Sequence, residues 1–398
     1  MATWYVISAE PPSPEQDSMS QHCKRSYDVI VLGLGGVGSA AAFHLAARGQ
    51  KVLGLDQFRP PHPRGSSHGR TRVIRQAYFE HPSYVPLLRR AYQLWDALDE
   101  GDSEKLFHRT GLLEIGPTDG VVIPGVLQSA QQYGLAIQSM TMQDARKEFP
   151  GLAGSDAWSV VLEEDAGYLR VESCIRAHLK QAQAAGAQLE YACRVLDWRT
   201  DGAGVIVETE TGPIHTAKLV ITAGPWASRW LSTYGVALRV KRKHVYHYAV
   251  SKPSYGQDNG FPCYFFETPD GYFYGTPVQD SLGLKVARHS GGESVESLVG
   301  DSHQIDVADQ QRCRSFLKHC LPETTDRMTD WLGCYYTVTP DEHFIVDHLP
   351  DTPQVTVIAG LSGHGFKFAS VLGELAADLA NDQVPHNDIG FLSLARFR

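Results

Sequence analysis

Residues 28–56 constrain this chain more than any other stretch. They read Asp28-Val-Ile-Val-Leu-Gly-Leu-Gly-Gly-Val-Gly and continue through Ser39–Arg48 to Lys51-Val-Leu-Gly-Leu-Asp56. Val29 to Leu32 is a short apolar run rich in β-branched residues, the pattern of a strand buried on both faces. Gly33, Gly35 and Gly38 follow in G-x-G-x-x-G spacing. The first permits a tight turn, the second lets a pyrophosphate approach the backbone, and the third lets a helix pack close to the strand. Ser39 to Arg48 forms the helix, with Gly49 where a C-cap belongs, and Lys51 to Leu55 forms a second strand. Asp56 then supplies a carboxylate for ribose hydroxyls, which favours FAD or NAD over NADP. A plain strand–helix–strand core unit is the competing reading of a lone glycine motif. The flanking strands, the helix and the acid, each in place, favour dinucleotide binding.

The length, 398 residues, suggests two domains or so. With 42% hydrophobic residues the chain can bury a sizeable core, and a formal net charge of −9 without a long basic run argues against nucleic acid as a partner. No stretch approaches the roughly 20 apolar residues that span a bilayer. Seven cysteines, scattered and without a C-x-x-C, suit a reducing cytoplasm and provide neither a metal site nor a disulfide framework. Residues 1–26 hold Pro11, Pro12 and Pro14 and lack the basic start and apolar core of a signal peptide, so a disordered extension is expected there.

Along the chain, Tyr84–Glu100 has apolar residues at helical spacing. Helices are also expected at 126–133, 142–148, 171–186, 304–320 and 366–381. Strands are expected at 110–116, 188–193, 204–209, around 217–222, and at 354–359. Leu238–Val250 alternates apolar and basic residues, as a long strand of an antiparallel sheet does, and 272–274 and 284–287 continue that sheet. The fold class is therefore α/β. A discontinuous Rossmann-like nucleotide domain (27–105, 170–236, 335–398) is interleaved with an α+β substrate domain (106–169, 237–334) built on a mostly antiparallel sheet. The expected site lies at the seam.

Two further segments carry chemistry. The loop Gln57–Tyr78 begins at the end of a nucleotide-binding strand and gathers His68, Arg72 and Arg75. Taken alone, solvated surface charges are the lesser reading of these three. Gly360, Gly363 and Gly365 precede the last helix, whose first turn carries Lys367. Exposed N–H groups at such a terminus favour negative charge, such as that on the pyrimidine edge of a reduced flavin, with His364 and Lys367 beside the ring. The alternative is a turn with a solvated lysine.

Leu361–Phe368 (LSGHGFKF), Thr339–Asp347 (TPDEHFIVD) and Gly65–Arg75 (GSSHGRTRVIR) resemble the monomeric sarcosine oxidase family of FAD amine oxidases. Within it, Gly360–Ala380 looks closest to the N-methyl-L-tryptophan oxidase branch. The resemblance covers about residues 27–398. It implies an FAD-dependent oxidase of N-methyl amino acids that yields formaldehyde and hydrogen peroxide. It implies FAD attached covalently through Cys334, which read alone is an inert buried thiol. Arg75 and Lys367 match a pair that clamps the substrate carboxylate. Lys285 matches the lysine beside which oxygen is reduced, though in isolation it is a lysine able to snorkel from an apolar strand. Arg72 and His68 match residues beside the flavin, and Tyr274, His289 and Tyr336 match the cavity lining. The family further implies a monomer, with cytoplasm as its expected location. Ser67 and Arg70 depart from the family's usual His and Asp, which leaves the flavin-side electrostatics open. Oxidation of a cyclic or glycated secondary amino acid, such as pipecolate or a fructosyl amino acid, is the rival reading.

Overall fold

The computed structural model describes residues 26–298, 301 and 304–398. The expected extension lies outside them except for Ser26, which opens the first strand and so corrects the boundary placed after it. Among the described residues, three sheets form the framework.

The first sheet has eight strands. Its centre is parallel, in the order Gln188–Glu190, Val52–Leu55, Ser26–Leu32, Gly212–Ile221 and Thr352–Ala359. Val29, Ile30 and Val31 are fully buried, as their continuous apolar run requires. An antiparallel meander, Val195–Asp201 and Gly204–Thr209, leads into Gly212–Ile221, and Ile345–Leu349 pairs antiparallel with Thr352–Ala359. The first helix, Gly36–Ala47, packs against helices Val171–Ala184 and Ala369–Ala380. Small residues make this approach possible: a Cβ on Gly373 would stand 2.4 Å from that of Ala40.

The second sheet has nine strands. It is antiparallel except where Leu112–Pro117 runs parallel to Cys263–Thr268. Its longest pairing joins Arg239–Val250 to Thr324–Val338. A third, three-stranded sheet of Thr71–Ile74, Gly167–Arg170 and Phe107–Arg109 carries the polar loop onward from the first glycine turn.

Expected and observed elements differ at several bounds: the helix expected at 126–133 begins at Val122 and the strand expected at 188–193 ends at Glu190. The helix expected from 304 begins at Val307, because the Asp306 side chain caps it by accepting from the Asp309 N–H at 3.0 Å. The last helix is preceded by a separate 3₁₀ turn, Phe366–Phe368, and runs Ala369–Ala380. Thr324–Val338 is a strand that the reading of periodicity omits. Its polar first half is not fully buried, and burial begins only at Gly333.

The glycine turn is the tightest point of the first sheet. Gly33 has φ +90°, and a Cβ on Gly38 would lie 1.7 Å from the Gly33 carbonyl oxygen. Gly49 caps the helix with φ +82° and nothing near its Cβ position. Gly38→Ala is therefore expected to cost about 3 kcal/mol or more, because the backbone it meets cannot yield. Gly49→Ala, strained only in φ, is expected to cost about 1 kcal/mol. Urea denaturation midpoints of the two variants check the order.

Candidate active site

One cavity of about 1100 Å³ runs between the two large sheets. Ligand pockets commonly measure roughly 300–1,000 Å³, so this one has room for an extended ligand and a small second molecule. Both glycine-rich turns open on it: Gly33, Gly35 and Gly36 from the first, Gly363 and Gly365 from the second.

At the first turn, a Cβ on Gly35 would meet only the Ser67 side chain, at 3.6 Å, and otherwise fill cavity. Gly35 is the N-cap of the first helix and offers no side-chain acceptor to the helix N–H groups. Ser67 Oγ accepts from Gly36 N–H at 3.2 Å, so the serine that departs from the family's histidine supports the turn. Asp56 is buried on the cavity wall. Its Oδ2 accepts from Leu34 N–H and its Oδ1 from Phe58 N–H, both at 2.8 Å. The carboxylate is thus fixed by the turn it serves, with lone pairs remaining for a ligand.

The second turn is shaped by an aromatic ring. Gly363 has φ +86°, and a Cβ there would stand 2.2 Å from the Tyr336 ring. His364 follows, buried and neutral. Its Nε2–H donates to the Glu342 carbonyl at 3.1 Å, so Nδ1 is the acceptor for the Tyr78 hydroxyl at 2.5 Å. Burial, then Lys367, holds its pKa well below the ordinary value. Lys367 is buried, not solvated: its Nζ donates to the His364 carbonyl at 2.9 Å and lies 5.1 Å from the centre of the Tyr78 ring. Burial, then Arg75, lowers its pKa to about 7.

Arg75 shares this end of the cavity, and it is not free. Nη2 donates to Glu80 at 2.6 Å, and Nε lies 3.0 Å from Glu114 Oε1 without hydrogen-bond alignment. Tyr78 and Phe79 flank its guanidinium at 4.6 Å. Burial opposes its charge, but Glu80 and Glu114 outweigh that and raise its pKa. His289, Tyr274 and Tyr336 complete the wall. His289 Nδ1 lies 3.3 Å from the Tyr336 hydroxyl, and burial, then Lys243, drops its pKa to about 3.

Arg72 lines the cavity, donating to the carbonyls of Thr71 at 3.0 Å and Ser66 at 3.2 Å. Four of the expected site residues do not reach the wall: Gly38, His68, Lys285 and Cys334. Gly38 is occupied with helix packing. Lys285 is buried behind Arg72 and gives all three N–H groups to Gly69 O (3.0 Å), Thr71 O (2.7 Å) and Thr71 Oγ1 (2.9 Å). Burial, then Arg72, lowers its pKa to about 7. On the outer side of the same loop, Glu172 accepts from Gly69 N–H at 2.7 Å and from Arg70 N–H at 3.1 Å. Cys334 is buried opposite Lys243 in the longest strand pair.

The sequence reading missed the acids behind Arg75. Glu114 is a lone carboxylate inside the apolar run Leu112–Ile115, which is the signal that could have marked it. Lys243, buried with its Nζ 5.4 Å from the centre of the Tyr336 ring, was hidden among the basic residues of an alternating strand.

Comparison with known proteins places this geometry. Residues 28–379 match the family described as FAD dependent oxidoreductase. The chain is 40% identical over 374 residues to N-methyl-L-tryptophan oxidase of Yersinia pestis (strain Pestoides F), covering 94% of this chain and the whole of that protein. It has the same identity to the enzyme of that name from Yersinia pseudotuberculosis serotype O:1b (strain IP 31758). Among solved structures it is similar to the open form of NikD, an unusual amino acid oxidase essential for nikkomycin biosynthesis. That likeness has a TM-score of 0.81 and 25% identity over 93% of this chain and 97% of that one. Glycine oxidase from Geobacillus kaustophilus shares the fold, with a TM-score of 0.77 and 20% identity over 94% of this chain and 99% of that one. Two glycine turns on one cavity, and a family match that spans both of them, lead to one conclusion: the chain belongs to the FAD dependent oxidoreductase family.

Proposed function

We propose that the protein is an FAD-dependent oxidase of N-methyl amino acids, of the sarcosine or N-methyl-L-tryptophan type. With oxygen and water it would give the demethylated amino acid, formaldehyde and hydrogen peroxide. The observation that carries this reading is the juxtaposition, at one end of the cavity shared by both glycine turns, of two buried cations with an aromatic wall. The name of the 40% identical relatives favours an aromatic substrate side chain, and Phe265, Tyr274 and Tyr336 offer it a surface.

The residues present fit the cofactor. The helix terminus at Gly35–Val37, whose N-cap glycine has no side chain, suits a diphosphate, Asp56 a ribose, and the Gly363–Gly365 turn a flavin ring. FAD, when bound, would supply the acceptor for a hydride equivalent from the carbon beside the amine and the route by which its electrons reach oxygen. The chain's own groups do the rest. Arg75 and Lys367 hold the substrate carboxylate. His289, uncharged at neutral pH, and the phenols of Tyr274 and Tyr336 surround the amine without adding positive charge, which favours its neutral form. Arg72 and Lys285 supply positive charge where oxygen gains electrons. Cys334 is the proposed point of covalent attachment. The cofactor domain comprises 27–105, extended by Ser26 of the first strand, with 170–236 and 335–398, and 106–169 and 237–334 form the substrate domain of a cytoplasmic monomer. Among the described residues, no helix is long and apolar enough to cross a membrane.

Peroxide release measured with sarcosine, N-methyltryptophan, pipecolate and a fructosyl amino acid tests the activity. Turnover of the first two is expected, and turnover of only the last two would replace the substrate class. On acid precipitation the yellow colour is expected to stay with the polypeptide, and to pass to the supernatant in Cys334→Ser. Lys285→Met is expected to slow the oxygen-dependent half-reaction on the order of a hundredfold while leaving reduction by substrate within a few-fold. Stopped-flow measurement of each half-reaction separates this from a general structural loss, which would lower both equally.

A further inference from the structure

The charges around Arg75 do not balance. Two cations, Arg75 and Lys367, face three carboxylates, Glu80, Glu114 and Glu163, all in one buried cluster. The three acids have different environments. Glu80 accepts a hydrogen bond from Arg75 Nη2 and is partly open to solvent. Glu163, on Trp158–Glu163, is fixed by the backbone N–H groups of Gln76 (2.8 Å) and Ala77 (2.9 Å), and so anchors the segment that carries Arg75. Glu114 lies on the adjacent strand, is fully buried, and accepts no hydrogen bond from the described residues despite the close approach of Arg75. A buried carboxylate without hydrogen bonds is a poor place for a negative charge and a good place for a proton.

We propose that Glu114 is the proton-linked counterpart of the substrate carboxylate: when that carboxylate docks on Arg75 while Glu114 is ionised, Glu114 takes up one proton from solvent. This rests on reading Arg75 and Lys367 as the carboxylate clamp. The charge of the cluster is then conserved, since the ligand brings one negative charge and Glu114 gives one up. No bond other than the carboxyl O–H is formed. Arg75 is released from one of its two anionic partners at the moment it gains a third. Glu114 is thereby a positioning residue, acting on the substrate through Arg75.

The groups that face Glu114 define its pH range. They are Arg75, Glu80 and Tyr78 from the segment after Thr71–Ile74, Glu163 from the neighbouring strand, Lys367 from the 3₁₀ turn, and Phe265 and Cys263 from the strand on the other side. Tyr92 stands beside Glu163. Burial holds the phenols of Tyr78 and Tyr92 well above their ordinary pKa and pushes the Cys263 thiol up to about 12, so all three stay protonated. Burial raises Glu114 to about 8, against the opposing pull of Arg75. Below pH 8 Glu114 already holds its proton and docking takes up none there. Above pH 8 the uptake grows and affinity falls, up to tenfold per pH unit. Lys367, lowered to about 7, contributes a separate dependence that does not involve Glu114.

Calorimetric titration of the holoenzyme tests this with two carboxylates that lack an amine and so neither react nor titrate: butyrate, which has the shape of sarcosine, and indole-3-propionate. Measurements at pH 9 in two buffers of unlike ionisation enthalpy give the protons taken up per ligand bound. Glu114→Gln is expected to take up about one proton fewer than the wild type at pH 9, and its fall in affinity above pH 8 is expected to be shallower by up to tenfold per pH unit, leaving the part due to Lys367. Equal proton counts in the two proteins would overturn the proposal. Should the variant not fold, Lys367→Met separates the two groups that can take up a proton at pH 9. Uptake with butyrate that persists in Lys367→Met, and none with butyramide, supports the proposal; carboxylate binding without uptake in that variant overturns it. Absence of carboxylate binding at every pH would remove the clamp itself, and the inference with it.

Discussion

The structure depends on a steric constraint at the first turn. The Gly33 carbonyl oxygen occupies the place where residue 38 would carry its Cβ, and the Gly33 Cβ position is taken by the Thr222 carbonyl. Strand, turn and helix are pressed together so closely that only hydrogen fits at two points. Two consequences follow. The helix N-terminus is held at the end of the parallel sheet with its N–H groups facing the cavity, and Asp56 is close enough to tie Leu34 and Phe58 to the same spot. The second turn is built on the same rule with a different partner, an aromatic ring in place of a carbonyl, so Tyr336 is positioned by Gly363 as much as by its own strand.

Around this frame the protein buries an unusual amount of charge. Arg75, Lys243, Lys285 and Lys367 are all almost inaccessible to solvent. Each buried ion would cost several kcal/mol if left alone. The compensation is of two kinds. Lys243, Lys285 and Lys367 are held chiefly by carbonyl oxygens, neutral partners that leave the positive charge uncancelled in the surrounding field. Arg75 is held by carboxylates and by aromatic faces. The first arrangement leaves each ammonium without a neutralising anion, and burial lowers the pKa of all three lysines. The second keeps a guanidinium fixed in place until another anion competes for it.

The parallel sheet was legible because its evidence is local. A doubly buried strand, a glycine turn and a helix of small residues are consecutive in the chain, and each reports its own environment. Leu238–Val250 was legible for the same reason. The long partner strand Thr324–Val338 was not, because its polar half is held by pairing with Arg239–Val250 and not by an apolar face of its own. At the site, the wall residues Arg75, Lys367, Tyr274, His289 and Tyr336 could be named from motif resemblance. Their partners could not. Glu114 meets Arg75 only because two sheets face each other, a relation between segments 39 residues apart in sequence with no local trace except an acid among leucines.

One peptide group has an effect larger than its size. The N–H of Arg70 points to Glu172, and the carbonyl of Gly69, across the same planar unit, points to Lys285. An anion on a helix covering the parallel sheet and a cation on a strand of the antiparallel sheet are thus joined through a single amide dipole, without touching. The amide acts as a rigid strut across the seam. Lys285 and Glu172 therefore share the orientation of one peptide plane, and the partial charges of that plane are part of the field at the lysine.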